Sequence, residues 1–388
     1  MSTKKLLIVA GESSGELYGA LLAKYLIKDF EIFGIGGKHM QEAGVNLIGE
    51  ITHAFGLFEI ISHLKKIQEN MKVIENKLKK VDGVILIDFP DFNLKVASKA
   101  KKLGKKILYY VSPQIWAWRK ARVKIIKKYV DYMAVILPFE ENIYKKFNIP
   151  VKYVGHPMYE LMKKELEVFG INKEGSLSQE EKRQIREKFR IKNEIVITLM
   201  PGSRPSEIKR IIPLMLNLIE HFDREKIHFV IPKAPNIEFS EEIKKQISKK
   251  DNITLLNEQS FLALAMSDAA LITSGTSTLQ STLLHVPTVV VYKVNPLSYF
   301  IGKILIRGVK HIALPNVIAD FLINTESIRV PEFIQDLSLP KIYSEINRIL
   351  YDNHYREETV NFLSSVSKYF YKKEASKEVY TLCKELFY

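Results

Sequence analysis

A single cysteine, Cys383, in a chain of 388 residues excludes an internal disulfide and a thiolate zinc site. The nine histidines form no HExxH pattern or paired cluster, and no DxD carboxylate pair stands ready to hold a metal beside a diphosphate. Neither a metal nor a cofactor is therefore expected. Long apolar runs are lacking as well. Nothing approaches the roughly 20 residues needed to span a bilayer. The opening MSTKKLLIVAGESSGE has an apolar core of only about five residues, too short for a signal peptide, and reads as a first strand. A cytoplasmic chain is expected, with any membrane contact peripheral. Tryptophan is scarcest of the large residues: Trp116 and Trp118 are the only two, and one loop holds both.

Negative charge is outweighed, with 58 Lys+Arg against 44 Asp+Glu and a formal net charge of +14. Such a balance suits an anionic partner (a membrane surface, nucleic acid or a phosphorylated substrate) and equally suits a solubilising surface. No recognised nucleic-acid module accompanies the basic segments, so nucleic acid is not expected as a partner. At 46% hydrophobic residues the chain can bury a sizeable core, and its length corresponds to about two or three domains of roughly 150 residues.

What is present is a repeated alternation. Apolar, β-branched runs at 5–10, 31–36, 83–88, 106–111, 132–137 and 151–155 are separated by helical patterns at about 15–28, 57–80, 93–103, 120–129 and 139–147. A highly charged stretch, 159–193, reads as an inter-domain connection plus the opening helix of a second half. Further strands are expected at 194–200, 227–232, 252–256, 268–273 and 286–292. Continuous apolar strands between helices imply parallel sheets covered on both faces. The expectation is an α/β chain of two doubly wound, Rossmann-like domains in tandem, over 1–160 and 161–350, with helices over 351–388 returning toward the N-terminal domain. In such sheets ligands bind beyond the carboxyl ends of the strands, so the polar segments just after strands are the ones to test.

Four of these carry candidate chemistry. In LMPGSRPSE a strand runs into Gly202, Ser203 and Arg204 before a helix: close backbone approach, unpaired N–H groups and a bidentate cation together suit phosphate. The alternative is an ordinary turn with a solvated Arg. In LITSGTSTLQ, Gly275, Thr276 and Ser277 open a helix, either as caps or as further donors to a diphosphate, and Gln280 lies one turn on, within reach of a sugar hydroxyl. In ILIDFPDFN, Asp88 is nearer the strand and suits a structural role. Asp91, further into the loop, is the better candidate general base, the competing reading being a helix cap. VAGESSGE places Gly11, Ser13, Ser14 and Gly15 in a turn that matches neither GxGxxG nor the P-loop. GIGGKHMQEAG is read as a tight turn. In HAFGLFEIISHLKK the apolar residues Phe55, Leu57, Phe58, Ile60 and Ile61 stand beside lysines, as in a helix at a lipid interface, or equally as an amphipathic core helix.

These segments, with YVSPQIWAWR (110–119), LPFE (137–140), VGHP (154–157) and ALPN (313–316), resemble in this order the lipid-A-disaccharide synthase family of glycosyltransferases. The likeness spans nearly the whole chain up to about residue 320. SPxxWAWR is its most specific element, and it is not expected in a GT-B transferase that builds peptidoglycan lipid II. A non-catalytic basic binding protein would not explain the colinear loops.

The resemblance implies a GT-B fold with an inter-domain cleft, UDP-sugar in the C-terminal domain and acceptor and lipid in the N-terminal one. It implies metal-independent, inverting transfer of 2,3-diacylglucosamine from its UDP donor to 2,3-diacylglucosamine 1-phosphate (lipid X), giving a β-1′,6-linked disaccharide and UDP. Asp91 falls at the family's base position. Asn316 carries over as a donor contact, and Gly11, Ser14, Gly15, Ser112, Trp116, Trp118 and Arg119 fall on the acceptor side. The implied partners are the two lipid substrates and the anionic cytoplasmic face of the inner membrane, and a homodimer is compatible with the pattern. Two departures stand out: Gln280 where the family usually has Glu, and Glu16 where it usually has Asp. For the tryptophans two readings stand, rings that line a sugar and acyl-chain site or rings that pin their loop to the core.

Overall fold

The apolar runs become two parallel sheets in a computed structural model that describes residues 3–50, 59–117, 121–234, 237–295, 299, 308–323 and 328–388. The chain divides into two units. One comprises Met1–Pro157, Leu305–Gly308 and Lys372–Tyr388; the other comprises Met158–Ile304 and Val309–Tyr371.

In the first unit the strands are β1 (Lys4–Ala10), β2 (Phe30–Gly36), β3 (Asn46–Glu50), β4 (Gly83–Ile87), β5 (Lys106–Tyr110), β6 (Tyr132–Val135) and β7 (Val151–Tyr153). Their order across the sheet is β3-β2-β1-β4-β5-β6-β7. The central strands are apolar on both faces because helices cover both: every residue of β4 is buried, as is Leu6–Ala10 of β1. The order reverses at β1, so the loops after β1 and β4 diverge there and leave a crevice. The C-terminal helix Ala375–Phe387 belongs to this unit. A Cβ on Gly83 would lie 2.2 Å from the Phe387 ring, and Tyr388 donates to the Asp29 carbonyl at 2.9 Å.

The second unit repeats the plan with β8 (Ile195–Met200), β9 (Ile227–Lys233), β10 (Ile253–Asn257), β11 (Ala269–Thr273), β12 (Thr288–Tyr292) and β13 (Glu332–Ile334), in the order β10-β9-β8-β11-β12-β13. Its reversal lies between β8 and β11, which run parallel from the pair Ala269–Ile197. The helix Asn353–Ser367 stays in this unit. The charged stretch expected to link the units folds as two helices of the second, Pro157–Glu167 and Gln179–Lys188, the latter closed by a Ser178–Glu181 capping box.

Eleven strands lie where the apolar runs predict them, within one or two residues. β3 and β13 went unseen because they are edge strands, short and only partly buried, and so lack the apolar run that marks the interior of a sheet.

Candidate functional site

In the first unit, the backbone after β4 turns sharply. Asp88 and Phe89 both adopt positive φ, at 51° and 45°, where a side chain is tolerated only under constraint. The constraint is visible. Asn93, fully buried, donates its amide to the carbonyls of Asp88 (2.8 Å), Ile87 (3.1 Å) and Val9 (3.3 Å), tying the ends of β1 and β4 together. Tyr109 of β5 donates to the Asp88 carbonyl at 2.7 Å. Gly11, after β1, packs under the Phe89 ring so closely that a Cβ there would lie 2.1 Å from it. Two sequence segments 77 residues apart thus form one surface, with Ser14 half-buried and Gly15 buried just behind it.

Asp91 stands on that surface in the first turn of the helix Pro90–Lys102, its side chain 70% exposed. Its Oδ1 lies 2.5 Å from Nη2 of Arg122, whose own side chain is 9% exposed. Arg122 begins the helix Arg122–Tyr129, directly after the tryptophan loop. Nothing in the residue types around Arg122 singles it out from the other cations of its basic segment. The signal that could have found it is its position, three residues past the WAWR element.

Trp116 is buried. Its indole N–H donates to Glu140 Oε1 at 3.1 Å and its ring meets Phe139 edge-on at 5.2 Å. Glu140, 1% exposed, also accepts from the Leu137 N–H at 3.2 Å, and burial pushes its carboxyl up to about 8. Ser112, buried in the same loop, bonds the Tyr144 hydroxyl at 2.8 Å. Of the two readings for the tryptophans, this geometry gives Trp116 the anchoring one. Trp118, Arg119, Phe55, Leu57 and Phe58 lie outside the described residues, and so do the side chains of Ile60 and Ile61 on the helix Glu59–Leu78.

Glu16, the family departure in the first loop, is buried and accepts from the His39 N–H at 2.8 Å. The longer side chain therefore secures the turn after β2. A Cβ on Gly37 would meet it at 2.6 Å, which is why that turn is glycine-rich.

In the second unit, Gly202 follows β8 at φ 110°, and a Cβ there would lie 2.7 Å from Glu207 Oε2. Glycine is required on both counts. Ser203 is exposed, and Arg204 stands at the residue before the helix Pro205–Ile219, its side chain 53% exposed and making no cap hydrogen bond. Glu207, largely buried, lies 3.6 Å from the Arg204 guanidinium. This half of the site thus brings its own carboxylate, and Arg204 has to serve it and any anion together.

After β11, a Cβ on Gly275 would meet nothing within 4 Å, so the backbone from Gly275 to Ser277 is openly approached. Thr278 takes the Gly275 carbonyl at 2.8 Å and receives the Leu314 N–H at 3.2 Å, joining this turn to the ALPN segment. Gln280 donates its amide to Ser260 Oγ at 2.8 Å, leaving its carbonyl oxygen for another donor. Asn316 is fully buried. Its amide donates to the Val330 carbonyl (2.8 Å) and Glu332 Oε1 (2.7 Å), and its oxygen receives the Val330 N–H (2.9 Å). Glu332 in turn receives the Ile312 and Ala313 N–H groups at 3.0 Å each. Asn316 therefore holds the backbone of this loop through both ends of its amide.

The sequence-predicted residues after β1 and β4 are brought together in one unit and those after β8 and β11 in the other. Chemically, the first offers a restrained, exposed carboxylate and the second an exposed guanidinium beside open backbone N–H groups. Among the described residues no cluster of three or more His, Cys, Asp or Glu could hold a metal ion, and no helix is long and apolar enough to cross a membrane.

Comparison with known proteins bears on this directly. The family model for lipid-A-disaccharide synthetase matches residues 6–379. A lipid-A-disaccharide synthase of Coxiella burnetii is 37% identical over 388 residues, covering 98% of this chain and 97% of its own. One from Syntrophus aciditrophicus is 38% identical over 363 residues, 90% and 89% of the two chains. Among solved structures, the UDP-GlcNAc 2-epimerase of Neisseria meningitidis, bound to UDP-GlcNAc, superposes with a TM-score of 0.63 at 15% identity over 98% of this chain and 100% of its own. A glycosyltransferase of Rickettsia africae gives 0.54 at 14% identity, covering 100% and 98%. At such identities the structural likeness shows the fold alone, a two-domain α/β architecture of the GT-B type.

Proposed function

The chain belongs to the lipid-A-disaccharide synthetase family and is a hexosyltransferase of lipid A assembly, and from that premise we propose how its two units divide the reaction. The first unit takes lipid X and the second takes UDP-2,3-diacylglucosamine. Asp91 removes the proton from the acceptor 6-hydroxyl as that oxygen attacks the donor's anomeric carbon. The new C–O bond forms as the bond to the UDP oxygen breaks on the opposite face, so an α-linked donor yields a β-linked disaccharide.

Negative charge grows on the departing diphosphate. Arg204 and the backbone N–H groups of Gly275 to Ser277 meet that charge, the type of electrostatic stabilisation that carries most weight at a water-poor site. Gln280 and Ser260 accept or donate to the ribose hydroxyls. Asn316 and Glu332 fix the loop that carries the donor backbone, and Arg122 fixes Asp91. Gly11, Ser14 and Gly15 frame the acceptor sugar, Ser112 and Trp116 hold the loop from which Trp118 and Arg119 meet the acceptor's lipid and phosphate, and Gly202 and Ser203 complete the donor turn. Phe55, Leu57, Phe58, Ile60 and Ile61 rest on the anionic cytoplasmic face of the inner membrane, where the acylated substrates reside.

The observation that carries this reading is Asp91. It is an exposed carboxylate at the carboxyl end of a central strand, beside the sheet's switch point, restrained by a buried cation. The test is turnover of UDP-2,3-diacylglucosamine with lipid X by wild type and Asp91→Ala. Disaccharide and UDP from the wild type, with a loss of about a hundredfold or more in the variant, is the expected result, since a general base contributes roughly 10² to 10⁴. Full activity in the variant removes Asp91 from its role, and folded wild type that makes no disaccharide refutes the assigned reaction.

A further inference from the structure

The charged stretch between the two halves conceals a feature that the transfer reaction does not use. Three cations of the second unit, Lys182, Arg186 and Arg356, converge on the N-terminal edge of its sheet, at the opposite end of β11 from the donor loops. One carboxylate serves the first two. Asp268 receives Lys182 Nζ at 3.1 Å, Arg186 Nη2 at 2.7 Å and the Val196 N–H at 3.0 Å. Lys182 and Arg186 are 8% and 7% exposed.

Arg186 places Nε and Nη1 on the carbonyls of Met266 and Glu194, both at 2.8 Å, so that each of its three nitrogens has a partner. Lys182 gives a second N–H to the Ser267 carbonyl at 2.6 Å and retains a third. Arg356 uses only Nη1, toward the carbonyls of Asp268 (3.0 Å) and Ile349 (3.4 Å). Its Nε and Nη2 have no partner among the described residues. Both unspent cations line a cavity of about 170 Å³, together with Ser176, Gln179 and His285. No carboxylate lines it. His285 adds no charge: its ring nitrogens engage Ser367 and Ser176 at 2.7 and 3.3 Å, and burial holds it neutral, down to about 4.

Only Lys182 and Arg186 reach the Asp268 carboxylate, and Arg356 meets backbone carbonyls alone; three cations gathered about a single carboxylate leave excess positive charge beside the cavity, which is costly unless an anion or water offsets it. The cavity has ample room for a tetrahedral oxyanion with accompanying water. The donors available, an ammonium, an open guanidinium edge and an amide, suit several oxygens at once.

We propose that this cavity binds inorganic phosphate at a site separate from the donor site. It lies a full strand away, roughly 15 Å at about 3.3 Å per residue. Bound phosphate would bridge the helix Gln179–Lys188 to the helix Asn353–Ser367 and stabilise the second unit.

The experiment is a melting-temperature titration with inorganic phosphate against sodium chloride at matched ionic strength, on wild type, Gln179→Glu, Arg356→Met and Arg204→Ala. Gln179 is exposed at the first position of its helix, where an acid is favourable, so Gln179→Glu adds a repelling charge without removing a structural contact. A phosphate-specific rise in wild type is expected, retained in Arg204→Ala, weakened at least about tenfold in apparent affinity in Gln179→Glu and lost in Arg356→Met. No phosphate-specific rise, a rise unchanged in Gln179→Glu, or a rise lost in Arg204→Ala each overturns the proposal.

Discussion

Asp91 Oδ1 and Arg122 Nη2 are 2.5 Å apart, and the pair is lopsided: the guanidinium is buried and the carboxylate is mostly exposed. Arg122 thus grips the carboxylate from its buried side, while 70% of the Asp91 side chain stays exposed. A base held this way keeps its direction, and direction is what a general base needs. Arg122→Met is expected to cut kcat by roughly ten- to a hundredfold with KM for the donor unchanged, and Arg122→Lys to recover part of the loss. Asp91→Asn, which keeps a hydrogen-bond acceptor for the buried cation, is expected to fold like wild type and to lose turnover by about 10² or more. Steady-state kinetics with both substrates varied, alongside thermal melts, separates these outcomes. A variant that loses donor affinity in place of kcat would give Arg122 a different role.

The positions of these loops were legible because buried strands announce themselves as apolar runs, and the ligand loops are whatever polar sequence follows. That argument located 85–93 and 199–204 from strand ends alone. What each side chain does there was less legible, because it depends on partners far away in the chain. Asn93 reads locally as a helix residue, yet its work is to join Ile87 to Val9, a residue 84 positions before Asn93 itself. Asn316 belongs to a motif that suggests ligand contact, while its bonds to Val330 and Glu332 make it a strut. Lys182 and Arg186 lie in the charged stretch 159–193, where nothing local distinguishes them from solvated charges, and their partner Asp268 is more than 80 residues away.

Glu140 gives a pH dependence of stability. Burial raises its carboxyl from 4.5 to about 8, so between those values the folded state binds a proton that the unfolded state has released. By linkage, stability falls as pH rises through that window. Glu140→Gln keeps an acceptor for the Trp116 indole and removes the ionisation. It is expected to flatten the decline between pH 5 and 8 and to be the more stable protein above pH 8, by an amount of order a few kcal/mol at one pKa unit per 1.36 kcal/mol. Urea midpoints measured across this range check the prediction. Parallel slopes for both proteins would mean that Glu140 does not titrate there.

Asn93 sets the geometry of the β1–β4 crevice, and its replacement separates folding from chemistry. Asn93→Ala removes a donor from three carbonyls, of which those of Val9 and Ile87 are reached through buried bonds, each costly to leave unmade at about 1–3 kcal/mol, while Asp88 keeps the Tyr109 hydroxyl. Neighbouring bonds and water recover part of this, so an overall loss of about 2–4 kcal/mol is expected. Because Asp91 lies two residues away on the same turn, kcat is expected to drop even at temperatures where the variant is fully folded. A variant with wild-type turnover and a lowered melting temperature would confine Asn93 to stability.

Gln280 is the departure whose consequence is hardest to foresee from sequence, and its surroundings now define a clean test. The amide donates to Ser260 Oγ at 2.8 Å, and a carboxylate in its place could accept from the same hydroxyl, because serine can turn its proton outward. Gln280→Glu is therefore expected to fold unchanged. If the side chain's other oxygen meets a ribose hydroxyl, the carboxylate makes a stronger, charge-assisted bond there than the amide does. At about 0.5–1.5 kcal/mol of gain, KM for the UDP-sugar should fall roughly two- to tenfold while kcat stays within a factor of about two. The acceptor's KM should not move. Donor KM that stays fixed or rises in Gln280→Glu would show that Gln280 serves only to hold Ser260, and that this chain grips its donor ribose through other groups.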